Sequence, residues 1–400
     1  MRKSLLEKID AIVTNRWLAL PVFFLLLWFI FWVTFALGQY PMDWIDAAVR
    51  WFGAWVGSLL ADGWARDLLV DGIIAGVGSV LVFLPNIIIL YFFISLMEFS
   101  GYMARAAVIM DGLMRHIGLR GQSFIPMVMG FGCNVPAVMA TREIGSHKSR
   151  LVTLAIIPFI SCAGRLPIFV LFAGAFFPEH PTLALLGIYL LGIVVAILSS
   201  LLLGRFIKDS EPARAMGVPP LKMPSARAVA KHTWASIREF LGNIATIILV
   251  FSIAIWFLGY FPRHEGASQA YQQEHSCIGV IGKAVEPAMD PLGFNWKMDV
   301  GLLTGIGAKE LVISSLGVMY AQEETEGAGL QDALKSSIPT AAALAYMVFV
   351  LLYIPCIATF AAIKKETGSW WWAILLCLYT ILVAWLCAFA AFRIGLLLWP

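Results

Sequence analysis

Charged side chains are scarce in this sequence: Lys, Arg, Asp and Glu make up 13% of its 400 residues, about half the share in soluble domains. With 60% of residues hydrophobic, that scarcity excludes a water-soluble globular chain and a large catalytic module outside a bilayer. The balance of 28 basic against 25 acidic residues, a net +3, leaves no footprint for nucleic acid. No two of the six cysteines have CxxC spacing, and all but Cys277 lie in apolar stretches, which argues against a disulfide framework. All six histidines fall outside the apolar runs, so a tight zinc site within the membrane is not expected. Phosphate-loop, nucleophile-elbow and HExxH patterns are also missing from the sequence. The chain is therefore read as a non-enzyme that does not hydrolyse nucleotide, with no bound organic cofactor expected.

What the sequence does have is long apolar runs: 17–37, 72–97, 121–141, 151–178, 181–204, 240–262, 300–320, 336–363 and 367–392. A run of about 20 apolar residues crosses a hydrocarbon core. The first follows a basic, amphipathic N-terminus, is too long for a signal peptide and reads as a retained span. Loops 142–150 and 205–238 are rich in Lys and Arg and read as cytoplasmic, whereas 39–71 and 263–299 are net acidic. With the N-terminus cytoplasmic, these signs agree only if 121–141 and 300–320 each enter and leave on one side. Pro126, Gly130, Gly132 and Pro136 interrupt the first, and Gly301, Gly305, Gly307 and the Lys309-Glu310 pair interrupt the second. The expectation is an all-α polytopic membrane protein with seven crossings and two broken, re-entrant segments.

An internal repeat supports that reading. Phe83-Leu84-Pro85-Asn86 and Phe240-Leu241-Gly242-Asn243 open comparable runs, Gly130 to Asn134 corresponds to Gly305 to Lys309, and Ile157-Pro158 with Ser161-Cys162 echoes Ile354-Pro355-Cys356. One outer span at the front gives the copies opposite orientation, and interrupted segments at matching positions of inverted halves point to a transport site near the bilayer midplane. The expected divisions are 1–64 (amphipathic segment, first span and outer amphipathic segment), 65–207 (first repeat), 208–232 (cytoplasmic hinge) and 233–400 (second repeat).

Backbone that leaves helical geometry in lipid must satisfy its polar groups on protein, water or an ion. Cys133 and Asn134 place a thiol and an amide at the first break, and soft sulfur beside oxygen suits a divalent first-row metal. Ser161, Cys162 and its repeat partner Cys356 add donors, while Cys377 and Cys387 on plain helix read as small apolar fillers. Glu98 ends a charge-free run and reads either as a cation ligand or as an interfacial carboxylate. Arg165 is expected to pair with a carboxylate or to cap exposed carbonyls. Lys309 and Glu310 read as a gating ion pair or as residues facing a wet vestibule. Together with Gly130, Gly132, Pro136, Gly305 and Gly307, Arg165, Lys309 and Glu310 make up the expected gating elements.

The stretch GFGCNVPAVMATR at 130–142 resembles the signature of the membrane domain of FeoB, the bacterial ferrous iron transporter family. Similar matches are MEFSGYMARAA (97–107), SCAGRLP (161–167), EPAMDPLGFNWK (286–297), LLTGIGAKE (302–310) and IPCIATFAAIKKE (354–366). The resemblance extends from about residue 9 to the end. It implies Fe2+ as the transported substrate, a multi-pass protein of the bacterial cytoplasmic (inner) membrane, and two Gate segments in inverted halves. Cys133 would stand at the first Gate, and Cys162 and Cys356 at positions where the family also carries cysteine. Phe99 stands where the family commonly has a second acid, and Ala163-Gly164 is exchanged relative to the family's Gly-Ala.

The family's N-terminal G domain has no counterpart here, so a separate GTPase domain or a small cytoplasmic accessory protein is an implied partner, and homo-oligomer assembly is compatible with the sequence. A divalent ion moving inward down about 100 mV gains about 4.6 kcal/mol, enough for roughly thousandfold accumulation without nucleotide. Two other readings stay open. One is an organic-solute carrier of the nucleoside type, using Asn86, Asn134 and Asn243. The other is a non-transporting scaffold in which the breaks only serve packing.

Overall fold

The computed structural model describes residues 18–207, 222–263, 269–320 and 329–399. Among these, every regular element is helical. Seven helices are long and apolar enough to cross a membrane: Pro21–Leu59, Trp64–Phe99, His147–Phe176, Pro181–Phe206, Ala226–Tyr260, Thr340–Thr367 and Trp370–Leu398. They coincide with the seven crossings read from the sequence, and the chain is a multi-pass membrane protein.

The first helix, α1 (Ala19–Leu59), is 41 residues long and runs on through Pro41, past the end of the apolar run at Leu37. At about 1.5 Å per residue it is about 60 Å long, twice the thickness of a hydrocarbon core. Its continuation is a helix with its own local pairs: Gln39 Nε2 donates to Asp43 Oδ1 at 2.7 Å, and Arg50 pairs with Asp46 one turn back. Trp44, Trp51 and Trp55 are exposed along it, as interfacial aromatics are. The N-terminal amphipathic segment expected before α1 lies outside the described residues, as do residues 208–221 of the expected hinge.

After α1 come α2 (Ala75–Phe99) and α3 (Tyr102–His116). The turn between them needs Gly101, whose φ of 77° is costly for any residue with a Cβ. Next are the short pair α4 (Phe124–Gly132) and α5 (Asn134–Ala140), then α6 (His147–Ile156), α7 (Leu166–Phe176) and α8 (Pro181–Phe206). The second half comprises α9 (Ala226–Tyr260), α10 (Cys277–Met289), α11 (Trp296–Thr304), α12 (Leu311–Tyr320), α13 (Thr340–Leu352), α14 (Ile357–Thr367) and α15 (Trp370–Leu398). Part of the expected outer loop 321–335 forms a further short helix, Leu330–Ser337, because Ala333 and Leu334 are buried on one side of it.

The chain forms two compact units, residues 1–157 with 197–249 and residues 158–196 with 250–400. In the first, α1 and α2 pack closely: the Asn86 side chain lies against Gly38, and Val49 against Gly78. In the second, α15 presents Ala384, Ala388 and Gly395 to its neighbours, and a Cβ on Gly395 would lie 2.9 Å from Ala341 on α13. Small residues on one face let helix backbones approach. Leu375, Leu378, Leu382 and Leu386 on another face of α15 are exposed, as lipid-facing residues are.

Candidate metal-transit site

Both segments read as interrupted are broken. The first stops at Gly132 and restarts at Asn134, with Cys133 extended between them at φ −152° and ψ 131°. The second stops at Thr304 and restarts at Leu311. No half of either exceeds 10 residues, and at about 1.5 Å per residue none crosses about 30 Å of hydrocarbon alone.

Two further breaks fall inside the Pro- and Cys-containing runs read as crossings. Helix is lost between Ile156 and Leu166 apart from two tight turns, and again between Leu352 and Ile357. Pro158 and Pro355 lack the N–H a continuous helix needs there. Cys162 (φ −82°, ψ 165°) and Cys356 (φ −60°, ψ 156°) are extended residues, each directly before renewed helical turns. Cys133, Cys162 and Cys356 thus share one local geometry, and at none does the side chain cap the N–H groups that follow.

In the second unit three of these breaks meet. Ile357 N–H donates to Ile306 O at 2.8 Å. Buried Lys309 sends its Nζ to Ile354 O at 2.7 Å and rests 3.5 Å from the centre of the Tyr353 ring. Gly164 places the 161–165 turn beside the same pair, since a Cβ there would lie 3.4 Å from Glu310 Oε2 and 3.8 Å from Lys309 Cβ. Arg165 is fully buried and donates through Nη1 to Pro158 O at 2.8 Å, while its Nε and Nη2 have no partner. It caps a carbonyl exposed by the break. The partners of Lys309 are a carbonyl and a ring, not the Glu310 carboxylate. Ser161 is buried beside Tyr189, and Cys356 Sγ lies 3.2 Å from Thr359 Oγ1. Gly305 is required by close approach, because a Cβ would fall 2.5 Å from Tyr353 Oη and from Val312 Cγ2; at Gly307 it would fall 2.9 Å from the Phe251 ring.

The first unit holds Glu98, Gly130, Gly132, Cys133, Asn134 and Pro136. Asn134 is 4% exposed and its Oδ1 has no hydrogen-bond partner. A Cβ on Gly132 would lie 3.2 Å from Leu90 and Phe31, so glycine keeps α4 close to α1 and α2. Glu98 Oε2 lies 3.9 Å from His232 Nε2, His232 Nδ1 is 2.9 Å from Ser95 Oγ, and Phe99 meets the imidazole edge-on at 5.4 Å. His232 was missed in the sequence because it precedes the apolar run 240–262; its position on the buried face of α9, with Val229 and Thr233, was the available signal. Arg142 pairs with Glu239 at 3.2 Å nearby. Burial and then the Glu98 charge push the Glu143 carboxyl above its ordinary range. Among the described residues no three His, Cys, Asp or Glu side chains come together as a metal cage.

The Gate family model, described as nucleoside recognition, matches residues 80–176 and 241–370, and a model for the ferrous iron transport protein B C terminus matches 185–235. A Staphylococcus aureus protein named Fe(2+) transporter FeoB is 40% identical over 97% of this chain and 59% of its own length. The chain belongs to the Gate family. A FeoB from Methanocaldococcus jannaschii is 37% identical over 98% of the chain and 59% of its own length. A Porphyromonas gingivalis protein named as a fusion of Fe(2+) transport protein A with FeoB is 46% identical over 99% of the chain and 52% of its own length. The chain thus spans between about half and two thirds of these FeoB relatives. No solved structure matches it. The two Gate blocks contain every residue singled out in the sequence as a ligand or gating element.

Proposed function

We propose that this chain conducts Fe2+ across the bacterial cytoplasmic membrane, with its N-terminus on the cytoplasmic side. Cys133, Asn134, Ser161, Cys162, Cys356 and Glu98 would serve as passing ligands, and Gly130, Gly132, Pro136, Arg165, Gly305, Gly307, Lys309 and Glu310 as the gate. The observation that carries the reading is that Cys133, Cys162 and Cys356 each occupy the extended residue directly before renewed helical turns. Each sulfur then stands at a break in the helix, and sulfur with oxygen donors suits a divalent first-row ion. The names of relatives 37–46% identical over nearly the whole chain support the same substrate. A weak, open site lets an ion leave as well as arrive.

In this reading 65–207 and 233–400 are inverted repeats joined by a hinge at 208–232, and the broken segments are re-entrant. A cytoplasmic accessory protein or GTPase is the fitting partner, since the Porphyromonas gingivalis relative is named for a fusion with transport protein A. The nucleoside-carrier reading finds less support: Asn86 is taken up in packing against Gly38, and the polar groups at the breaks of the second unit are sulfur and charge rather than amides. The test is uptake of Fe2+, Mn2+, Zn2+ and a labelled nucleoside by liposomes containing the protein. Fe2+ uptake above protein-free liposomes is the expected result, and nucleoside uptake alone overturns the reading.

A further inference from the structure

The transport reading leaves a buried acidic residue, Asp299, without a role. Asp299, in the first turn of α11, is 1% exposed, and neither of its carboxylate oxygens has a hydrogen-bond partner. Buried polar groups in folded proteins are ordinarily paired, and a charge with no partner is among the costliest things a fold can hold. Something that arrives from outside the chain, a proton or a cation, is the physical remedy.

The fold brings a second carboxylate to the same place. Helix α10 approaches α11 closely at Gly282, where a Cβ would lie 2.7 Å from Val300 Cγ2 and 3.1 Å from Trp296 O. One turn further along α10, Glu286 Oε1 accepts the Trp296 N–H at 3.1 Å. Burial, with the Glu286 charge second, pushes the Asp299 carboxyl up to about 7. The neighbouring cations are engaged elsewhere. Lys283 Nζ donates to Glu274 Oε1 at 2.9 Å and lies 5.4 Å from the Trp296 ring, and Lys297 lies 5.0 Å from the Tyr320 ring. Asn295 Oδ1 is already occupied by Met298 N–H at 3.1 Å and the Tyr320 hydroxyl at 2.9 Å.

We propose that Asp299 and Glu286 form a loading site for a partly hydrated divalent metal cation at the head of the second Gate segment. The proposal rests on the transport reading and adds a station that uses no cysteine. Two carboxylates and water are the donor set of hard divalent ions, which keep much of their hydration shell. The positive end of the α11 dipole stabilises both carboxylates and opposes the cation. The site is therefore weak, as a station that passes its ion onward must be.

The test uses Mn2+ alone as probe, titrated by electron paramagnetic resonance into the whole chain in lipid nanodiscs. Asp299→Asn and Glu286→Gln are each expected to raise the half-saturating Mn2+ concentration of one site by about tenfold or more, while Cys387→Ser on α15 leaves that site intact. If Asp299→Asn does not fold, Glu286→Gln, which keeps an oxygen for the Trp296 N–H, decides alone. Mn2+ binding equal to the unaltered protein in the folded carboxylate variants overturns the proposal. Carboxylate-dependent Mn2+ binding without Fe2+ uptake into liposomes supports the site and defeats the transport reading. Fe2+ uptake with carboxylate-independent Mn2+ binding does the reverse.

Discussion

The ammonium of Lys309 lies 2.7 Å from the carbonyl oxygen of Ile354. That carbonyl is available because α13 ends at Leu352 and α14 begins only at Ile357. Under the transport proposal a passing cation would use the same oxygen, and Lys309 would act as a tethered cation in the ion's place. The Tyr353 ring, 3.5 Å away, holds the ammonium by its negative face. For an ion to use the carbonyl, the lysine has to leave.

Lys309→Met is therefore expected to bind Fe2+ or Mn2+ more tightly than the unaltered protein, by about tenfold or about 1.4 kcal/mol, because the competing charge is gone. Lys309→Arg, which keeps the charge, should not. Metal titration of the three purified proteins checks this, and equal affinity for Lys309→Met and the unaltered protein rejects the tethered-cation account.

Gly305→Ala should destabilise the second unit. Its Cβ would sit 2.5 Å from both Tyr353 Oη and Val312 Cγ2, and overpacking of this kind costs about 1–3 kcal/mol. Tyr353→Phe removes one of the two clashing atoms, so the double variant should melt above Gly305→Ala alone. Additive losses in a double-mutant cycle would mean that Gly305 and Tyr353 do not meet as described.

Most of the crossings were legible because a membrane imposes one length and one composition. The breaks at Cys133 and at Gly305 to Glu310 were legible too, since glycine and proline rarely cluster in a helix without a reason. The breaks beside Pro158 and Pro355 were not: both lie inside apolar runs whose length alone satisfies a crossing. The extension of α1 was hidden because Asp43, Asp46 and Arg50 end the apolar run while stabilising the helix through pairs one turn apart. Asp299 fell one residue outside the second Gate run, and nothing in its spacing announced that both its oxygens would be buried without a partner.

Glu143 lies outside the seven crossings, and its carboxyl is raised first by burial and then by the Glu98 charge, with His232 and Arg142 pulling the other way. A raised folded value means the native form holds the proton more tightly than the unfolded chain does. Its stabilisation is full below the unfolded value and is lost as pH rises through the folded one. Glu143→Gln, neutral throughout, should flatten that part of the stability curve and melt slightly higher than the unaltered protein on the alkaline side. Melting curves that differ by a constant offset at every pH would contradict this.

The most direct test is the initial rate of Fe2+ uptake into liposomes holding the protein under an inside-negative potential, compared for the unaltered chain, Cys133→Ser and Cys277→Ser at equal incorporation. Loss of a thiol ligand at the first break should cut the rate by about tenfold or more, whereas Cys277, on a helix outside the seven crossings, should be replaceable without loss. Cys133→Ser and the unaltered chain transporting Fe2+ at the same rate would contradict the account.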